Sequence, residues 1–256
     1  MATPITSIDP PLEAPLPREI LSLLYSSMLK ARLLAKRWRK AQRMSEAILS
    51  ATLQNTEPGD LLVSAGSHPI LRVLSGTSIT DADSKKDDSR VIAAADDAAA
   101  GIATGMALSL RRAQSQSIVV AILPAKVTRG SAWDHATQFA AENRLPIVFV
   151  ADGTEARPVR KHECADLSHW PFPTIAVDGR DVIAVYRVTK EAISAARRAH
   201  GPTLIDGVNF LAPGNRGKDQ RDPLLSFRGY LKRHNAWSDE WYKGLASKLE
   251  QEIASD

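Results

Sequence analysis

The amino-acid sequence predicts an α/β fold: a parallel β-sheet with helices on both faces, and helical segments at the amino and carboxyl ends. Three observations carry this. Two continuous apolar runs, Ile118–Leu123 (IVVAIL) and Pro146–Ala151 (PIVFVA), have the length and β-branched content of strands covered on both faces. Stretches of helical periodicity alternate with such runs, as in repeated strand–helix–strand units. One unit is fully punctuated: the strand Ile175–Val177 ends in the turn Asp178-Gly179, Asp181 caps a helix, Gly201-Pro202 stops it, and the strand Thr203–Val208 follows.

In chain order, residues 1–17 are rich in proline and small residues and lack a basic region followed by an apolar one. They are expected to form a flexible arm and not a secretory signal. From Arg18 to Gln54 the residues Ile20, Leu23, Leu24, Met28, Leu33 and Leu34 recur at helical spacing, predicting one long helix or two broken near the middle. This stretch also carries Lys30, Arg32, Lys36, Arg37, Arg39, Lys40 and Arg43, interleaved with Leu29, Leu33, Trp38 and Met44. That is the pattern of an amphipathic helix with a basic face, and no nucleic-acid-reading motif accompanies it.

Glu57-Pro58-Gly59-Asp60 reads as a turn, and Ser78–Arg90 as a mobile polar surface loop. Ala93–Arg112 is alanine-rich and predicted helical, with Asp96 or Asp97 in its first turn. Trp133–Asn143 is predicted helical, and so is most of Leu224–Ile253. Residues 18–256 are expected to form one domain.

The composition is that of a soluble globular protein: 256 residues, 44% hydrophobic and 24% charged, with a net charge of +4. No apolar run approaches the length of a membrane span. A single cysteine, Cys164, excludes an internal disulfide framework and fits a reducing, cytoplasmic setting. His162, Cys164 and His169 lack the spacing of a zinc site. Cys164 reads as an inert thiol, Asp134-His135 as a partial helix cap, and Trp170, Trp237 and Trp241 as packing residues.

Several long segments are similar to a known family. VDGRDVIAVYRVTKEAISAARRAHGPTLIDGVNF (Val177–Phe210) resembles the stretch VDGNDV-AVY, helix, GPTLIE and Tyr-Arg of the α subunit of thiamine-diphosphate-dependent 2-oxo acid dehydrogenases of the pyruvate, branched-chain and acetoin type. WDHATQFAAENRLPIVFVAD (Trp133–Asp152) is similar to that family's FHEALNFAAVHRLPVVFV-ENN. Leu23–Arg37, Pro58–Gly76 and Asp222–Glu240 resemble its opening helix, its PGD…YR…G segment and its DP…LR.YL…WS.EE segment. The resemblance implies the thiamine-diphosphate-binding fold. It also implies an α subunit that holds the cofactor diphosphate through magnesium, and a β-type subunit completing the site in an α2β2 heterotetramer.

Ligands of such sheets bind at the carboxyl ends of the strands, and there the chain departs from the pattern that the resemblance implies. The family's GDG segment falls on Leu123-Pro124-Ala125, and its Asn-Asn pair on Gly153-Thr154, just after Asp152. Its first Tyr-Arg pair falls on Gly66 and Ser67, its second on Phe210 and Leu211, and the following histidine on Asn215. Proline offers neither a side-chain oxygen nor an N–H, and asparagine transfers no proton near neutral pH. The glycine-rich stretch after Gly76 and the loop from Asn215 to Asp222 are shortened.

The expectation is therefore a non-catalytic or regulatory α-like subunit without a cofactor or bound metal, paired with a β-type subunit. The alternative is an active 2-oxo acid dehydrogenase subunit using thiamine diphosphate and Mg2+ in a rebuilt site, with Asp152, Lys126 or Arg129 supplying charge. A third reading is a small-anion or metabolite binder using the vacated cleft.

Overall fold

The structure, a computed structural model, describes residues 16–39, 44–82, 90–156, 159, 170–210 and 222–255. Its strands are β1 (Leu61–Ala65), β2 (Val91–Ala94), β3 (Val119–Pro124), β4 (Ile147–Gly153), β5 (Thr174–Asp178) and β6 (Thr203–Val208). They form a six-stranded sheet in the order β2-β1-β3-β4-β6-β5, with every pairing parallel. The helices are α1 (Arg18–Arg37), α2 (Glu46–Leu53), α3 (Pro69–Leu74), α4 (Ile79–Ala82), α5 (Ala99–Arg112), α6 (Ser131–Glu142), α7 (Val182–Arg197), α8 (Pro223–Arg233) and α9 (Asp239–Ser255).

Alternation along the strands divides the core in two. Val120, Ile122, Val148, Val150 and Ile205 join a cluster with α1, α2, α7, α8 and α9 on one face. Val119, Ala121, Leu123, Ile147, Phe149 and Leu204 join α5 and α6 on the other. Because both faces are covered, the strands read as unbroken apolar runs, as expected.

The amino ends of the strands are tied by Asp60, which is fully buried. Its carboxylate accepts from the backbone N–H of Ile118 (3.0 Å) and Glu57 (2.7 Å) and from both terminal nitrogens of Arg197 (3.1 and 2.8 Å). Across α1, α8 and α9, Tyr25 packs on Phe227, Trp237, Trp241 and Tyr242 with ring centroids 5.0 to 6.3 Å apart. Burial pushes the Tyr25 hydroxyl up to about 12.

Three residues of the basic stretch are tied down within the chain. Lys30 pairs with Glu252, Arg32 with Glu46 and Asp222, and the Arg37 guanidinium donates to the Ile253 carbonyl. Trp170 likewise packs on Trp133 and Phe172. Among the described residues, no helix is long and apolar enough to cross a membrane.

The segment from Arg18 to Gln54 is two helices, α1 and α2, which is one of the two expected forms. Elsewhere the boundaries differ from expectation. Ala93 and Ala94 belong to β2, hydrogen-bonded to β1, and the helix begins only at Ala99; pairing with a neighbouring strand overrides alanine's helical preference. Asp96 and Asp97 therefore precede α5. β1, α3 and the short α4 were not anticipated, and α4 lies inside the expected loop Ser78–Arg90. The arm to residue 15 and residues 83–89 lie outside the described residues.

Candidate functional site

The carboxyl ends of the strands bring several of the expected positions together. Register places Pro124 of β3 beside Asp152 of β4, and Asp152 beside Gly207 of β6. The Ala125 side chain lies close by: a Cβ at Gly153 would sit 3.5 Å from it. Gly66 follows β1, next to β3, and its N–H donates to the Ala94 carbonyl at 2.6 Å. Gly66 adopts φ 74°, a left-handed conformation that tyrosine, the residue at that position in the resemblance, would strain. Ser67 is exposed. Leu211 and Asn215 lie outside the described residues, as do His162, Cys164 and His169.

The polar atoms at the end of β4 are turned inward. Asp152 is 8% exposed. One carboxylate oxygen accepts from the Ser45 backbone N–H at 2.6 Å; the other accepts from the Thr154 N–H at 3.0 Å and its hydroxyl at 2.6 Å. Burial pushes the Asp152 carboxyl up, against the opposing pull of these donors. The Ser45 hydroxyl donates to the Gly179 carbonyl at 2.8 Å, and the Arg180 guanidinium donates to the Thr154 carbonyl at 3.0 Å. Asp152, Thr154, β5 and the start of α2 are thus one hydrogen-bonded unit.

Apolar packing closes the same edge. A Cβ at Gly207 would sit 2.6 Å from Ile48 Cδ1 and 2.9 Å from the Ala151 carbonyl oxygen; one at Gly179 would sit 2.6 Å from Thr154 Cγ2 and 3.0 Å from Ile48 Cδ1. Ser45, Ile48 and Gly207 were not singled out from the sequence, and Gly179 reads there only as a turn residue. The one available signal was a glycine inside an otherwise regular strand, which marks a close approach.

The cations considered for a rebuilt site are placed differently. The Lys126 ammonium pairs with Asp96 at 2.8 Å, both exposed. Arg129 lies near Asp206, whose carboxyl burial pushes up while Arg129 draws it down. Asp134 falls in the first turn of α6, whose N-cap is Gly130.

At the end of β1 is a residue the sequence reading passed over. His68, 1% exposed, accepts from the Leu71 N–H through Nδ1 at 3.1 Å and so caps α3. Accepting at Nδ1 puts the proton of the neutral ring on Nε2, which has no hydrogen-bond partner among the described residues. Burial lowers its pKa to about 4. No group of three or more His, Cys, Asp or Glu is arranged to hold a metal ion among the described residues.

Comparison with known proteins finds dehydrogenase alpha subunits among the relatives. The 3-methyl-2-oxobutanoate dehydrogenase subunit alpha of Mycobacterium tuberculosis is 31% identical over 159 residues, covering 53% of this chain and 43% of that protein. The 2-oxoisovalerate dehydrogenase subunit alpha of Bacillus subtilis is 33% identical over 125 residues, 40% of this chain and 38% of that protein. The chain therefore spans less than half the length of these relatives. Among solved structures, a thiamin diphosphate-dependent enzyme from Mycobacterium smegmatis aligns over 67% of this chain and 33% of its own, at 20% identity and a TM-score of 0.47. Residues 75–215, more than half of the sequence, match the family described as dehydrogenase E1 component, and the chain belongs to that family.

Proposed function

We propose that the chain is a non-catalytic, α-like subunit of a 2-oxo acid dehydrogenase decarboxylating component. It pairs with a β-type subunit in an α2β2-type assembly, with residues 18–256 acting as one domain. The relatives' description as alpha subunits supports the family role. The lone thiol, Cys164, suits a reducing compartment such as the cytoplasm.

The observation that carries the non-catalytic reading is the donor set at the ends of β3 and β4. Magnesium is held by carboxylate and other oxygen ligands, and a diphosphate needs free N–H donors or cations. Pro124 and Ala125 bring no side-chain oxygen, and Pro124 brings no N–H. Both Asp152 oxygens already accept from Ser45 and Thr154, and the N–H groups of those two residues are thereby committed. These residues do not fit a magnesium diphosphate.

The test is a calorimetric titration of magnesium and thiamine diphosphate into the chain co-purified with its β-type partner. No binding heat from a well-formed complex is expected. Saturable binding, followed by turnover of a 2-oxo acid, would establish the active-subunit alternative instead.

A further inference from the structure

Helices α8 and α9 both pack on α1 but are joined to each other at one end. There the Arg228 guanidinium lies over the rings of Trp237 (4.7 Å) and Tyr242 (5.6 Å) and pairs with Asp239 at 3.2 Å. Further along, α8 is tied to α1 through Asp222 and Arg32 at 2.6 Å, and α9 to α1 through Glu252 and Lys30 at 2.6 Å. Among the described residues, no hydrogen bond or ion pair other than Arg228–Asp239 joins α8 to α9. Between them is a groove of about 230 Å³, with α1 as its floor.

The groove is apolar inside and charged at its mouth. Leu29 is buried and Leu33 partly so, with Leu224 and Ala246 on the walls. Leu225, 65% exposed, stands at the mouth. Apolar side chains left facing an unfilled groove favour an apolar occupant. An apolar cavity of about 150 Å³ holds benzene, so this groove has room for a side chain of leucine's size. Lys36 from α1 and Glu250 from α9 also line it, and both are exposed. Neither has a hydrogen-bond or ion-pair partner among the described residues, and they are not paired with each other. The other two cations of the lining, Arg32 and Arg228, are committed to carboxylates. Among the described residues the groove therefore offers a ligand one free cation, one free anion and apolar walls.

We propose that this groove binds a free apolar α-amino acid of leucine's size. Lys36 takes its α-carboxylate, Glu250 its α-ammonium, and the four leucines receive its side chain. A singly charged ligand of the same shape satisfies one of the two side chains and leaves the other unanswered; a zwitterion satisfies both. The site uses none of the residues at the carboxyl ends of the strands, so it stands or falls apart from the non-catalytic reading.

Calorimetric titration of the full chain tests this, with L-leucine, isocaproate, isopentylamine and L-alanine as probes. Isocaproate lacks the ammonium group, isopentylamine the carboxylate, and L-alanine the apolar bulk. Leucine is expected to bind with a Kd of about 0.1–1 mM, a range open to so small a ligand. Isocaproate and isopentylamine should each bind about three- to fivefold more weakly, the scale of one partly exposed ion pair. L-Alanine should bind at least about tenfold more weakly, for want of buried methylene groups. Lys36→Met should bring leucine to the level of isopentylamine, and Glu250→Gln to that of isocaproate. Both positions are exposed, so both variants are expected to keep the native unfolding temperature.

An absence of saturable heat from leucine would overturn the site. So would equal affinities for leucine, isocaproate and isopentylamine, or variants that leave leucine's affinity unchanged. Leucine binding by the chain that is lost in the assembly co-purified with the β-type partner would also overturn it, because the groove would then be a subunit contact.

Discussion

At Gly207 a methyl group would collide with Ile48 Cδ1 at 2.6 Å and with the Ala151 carbonyl at 2.9 Å; at Gly101 and Gly105, on the outer side of α5, it would meet nothing within 4 Å. The strand glycine is there because two elements have closed on each other, and one of its obstacles is backbone that cannot turn aside. The helix glycines lower helical propensity with no compensating contact among the described residues. The same residue type therefore reports a filled, over-determined edge in one region and an open face in the other.

The largest effect that would break this contrast is expected at Gly207. Gly207→Ala should destabilise the chain by roughly 1–3 kcal/mol, the usual cost of forcing extra volume into a well-packed site. Urea unfolding measures it; an unchanged midpoint would mean that α2 sits loosely on the strand ends.

The second test compares the two ends of the carboxyl edge by pH. His68, after β1, has its pKa lowered by burial from 6.5 to about 4. The unfolded chain then binds a proton that the folded chain refuses. This contribution to stability is present above pH 6.5 and is lost as the pH falls toward about 4. Asp152, after β4, is raised instead, so its contribution is present at low pH and fades as the pH rises through its folded value. Denaturation midpoints between pH 4 and 7 should fall with acidification in the native chain and fall less in His68→Asn, which keeps a capping side chain. Identical slopes in the two proteins would show that His68 is not held neutral.

The smallest effect is at Gly105. Gly105→Ala should stabilise α5 by up to about 1 kcal/mol, since alanine is the better helix former and the space is free. Thermal unfolding of the isolated chain would show it, and a loss of stability there would mean that the open face has a hidden neighbour.

Much of this was legible in the sequence. The strands β3 and β4 announced themselves because burial on both faces leaves no polar residue in the run, and α7 because Asp181 accepts from the N–H groups of Ile183 and Ala184 as a standard N-cap. The end of β2 is expected as helix because Ala93 and Ala94 have no local preference strong enough to oppose the alanine-rich segment that follows; only pairing with β1 decides them. The neighbourhood of Pro124 and Asp152 followed from aligning the ends of adjacent strands. The role of Asp152 did not, because its partner Ser45 lies 107 positions earlier and donates through its backbone, which no side-chain pattern encodes. His68 escaped notice for a related reason: a histidine before a proline reads as an ordinary turn residue, and its burial comes from the surrounding fold.

The strand order also governs how the chain comes together as it is synthesised. Among the described residues β5 pairs with β6 alone, and β6 is hydrogen-bonded on its other side to β4. A chain leaving the ribosome therefore presents Thr174–Asp178 before this partner strand has been made. α7 must follow as well before Thr203–Val208 emerges. When it does, it does not add to a free edge but enters between two earlier strands. Completion of this side of the sheet is an insertion, and it waits for the last strand that the structure describes.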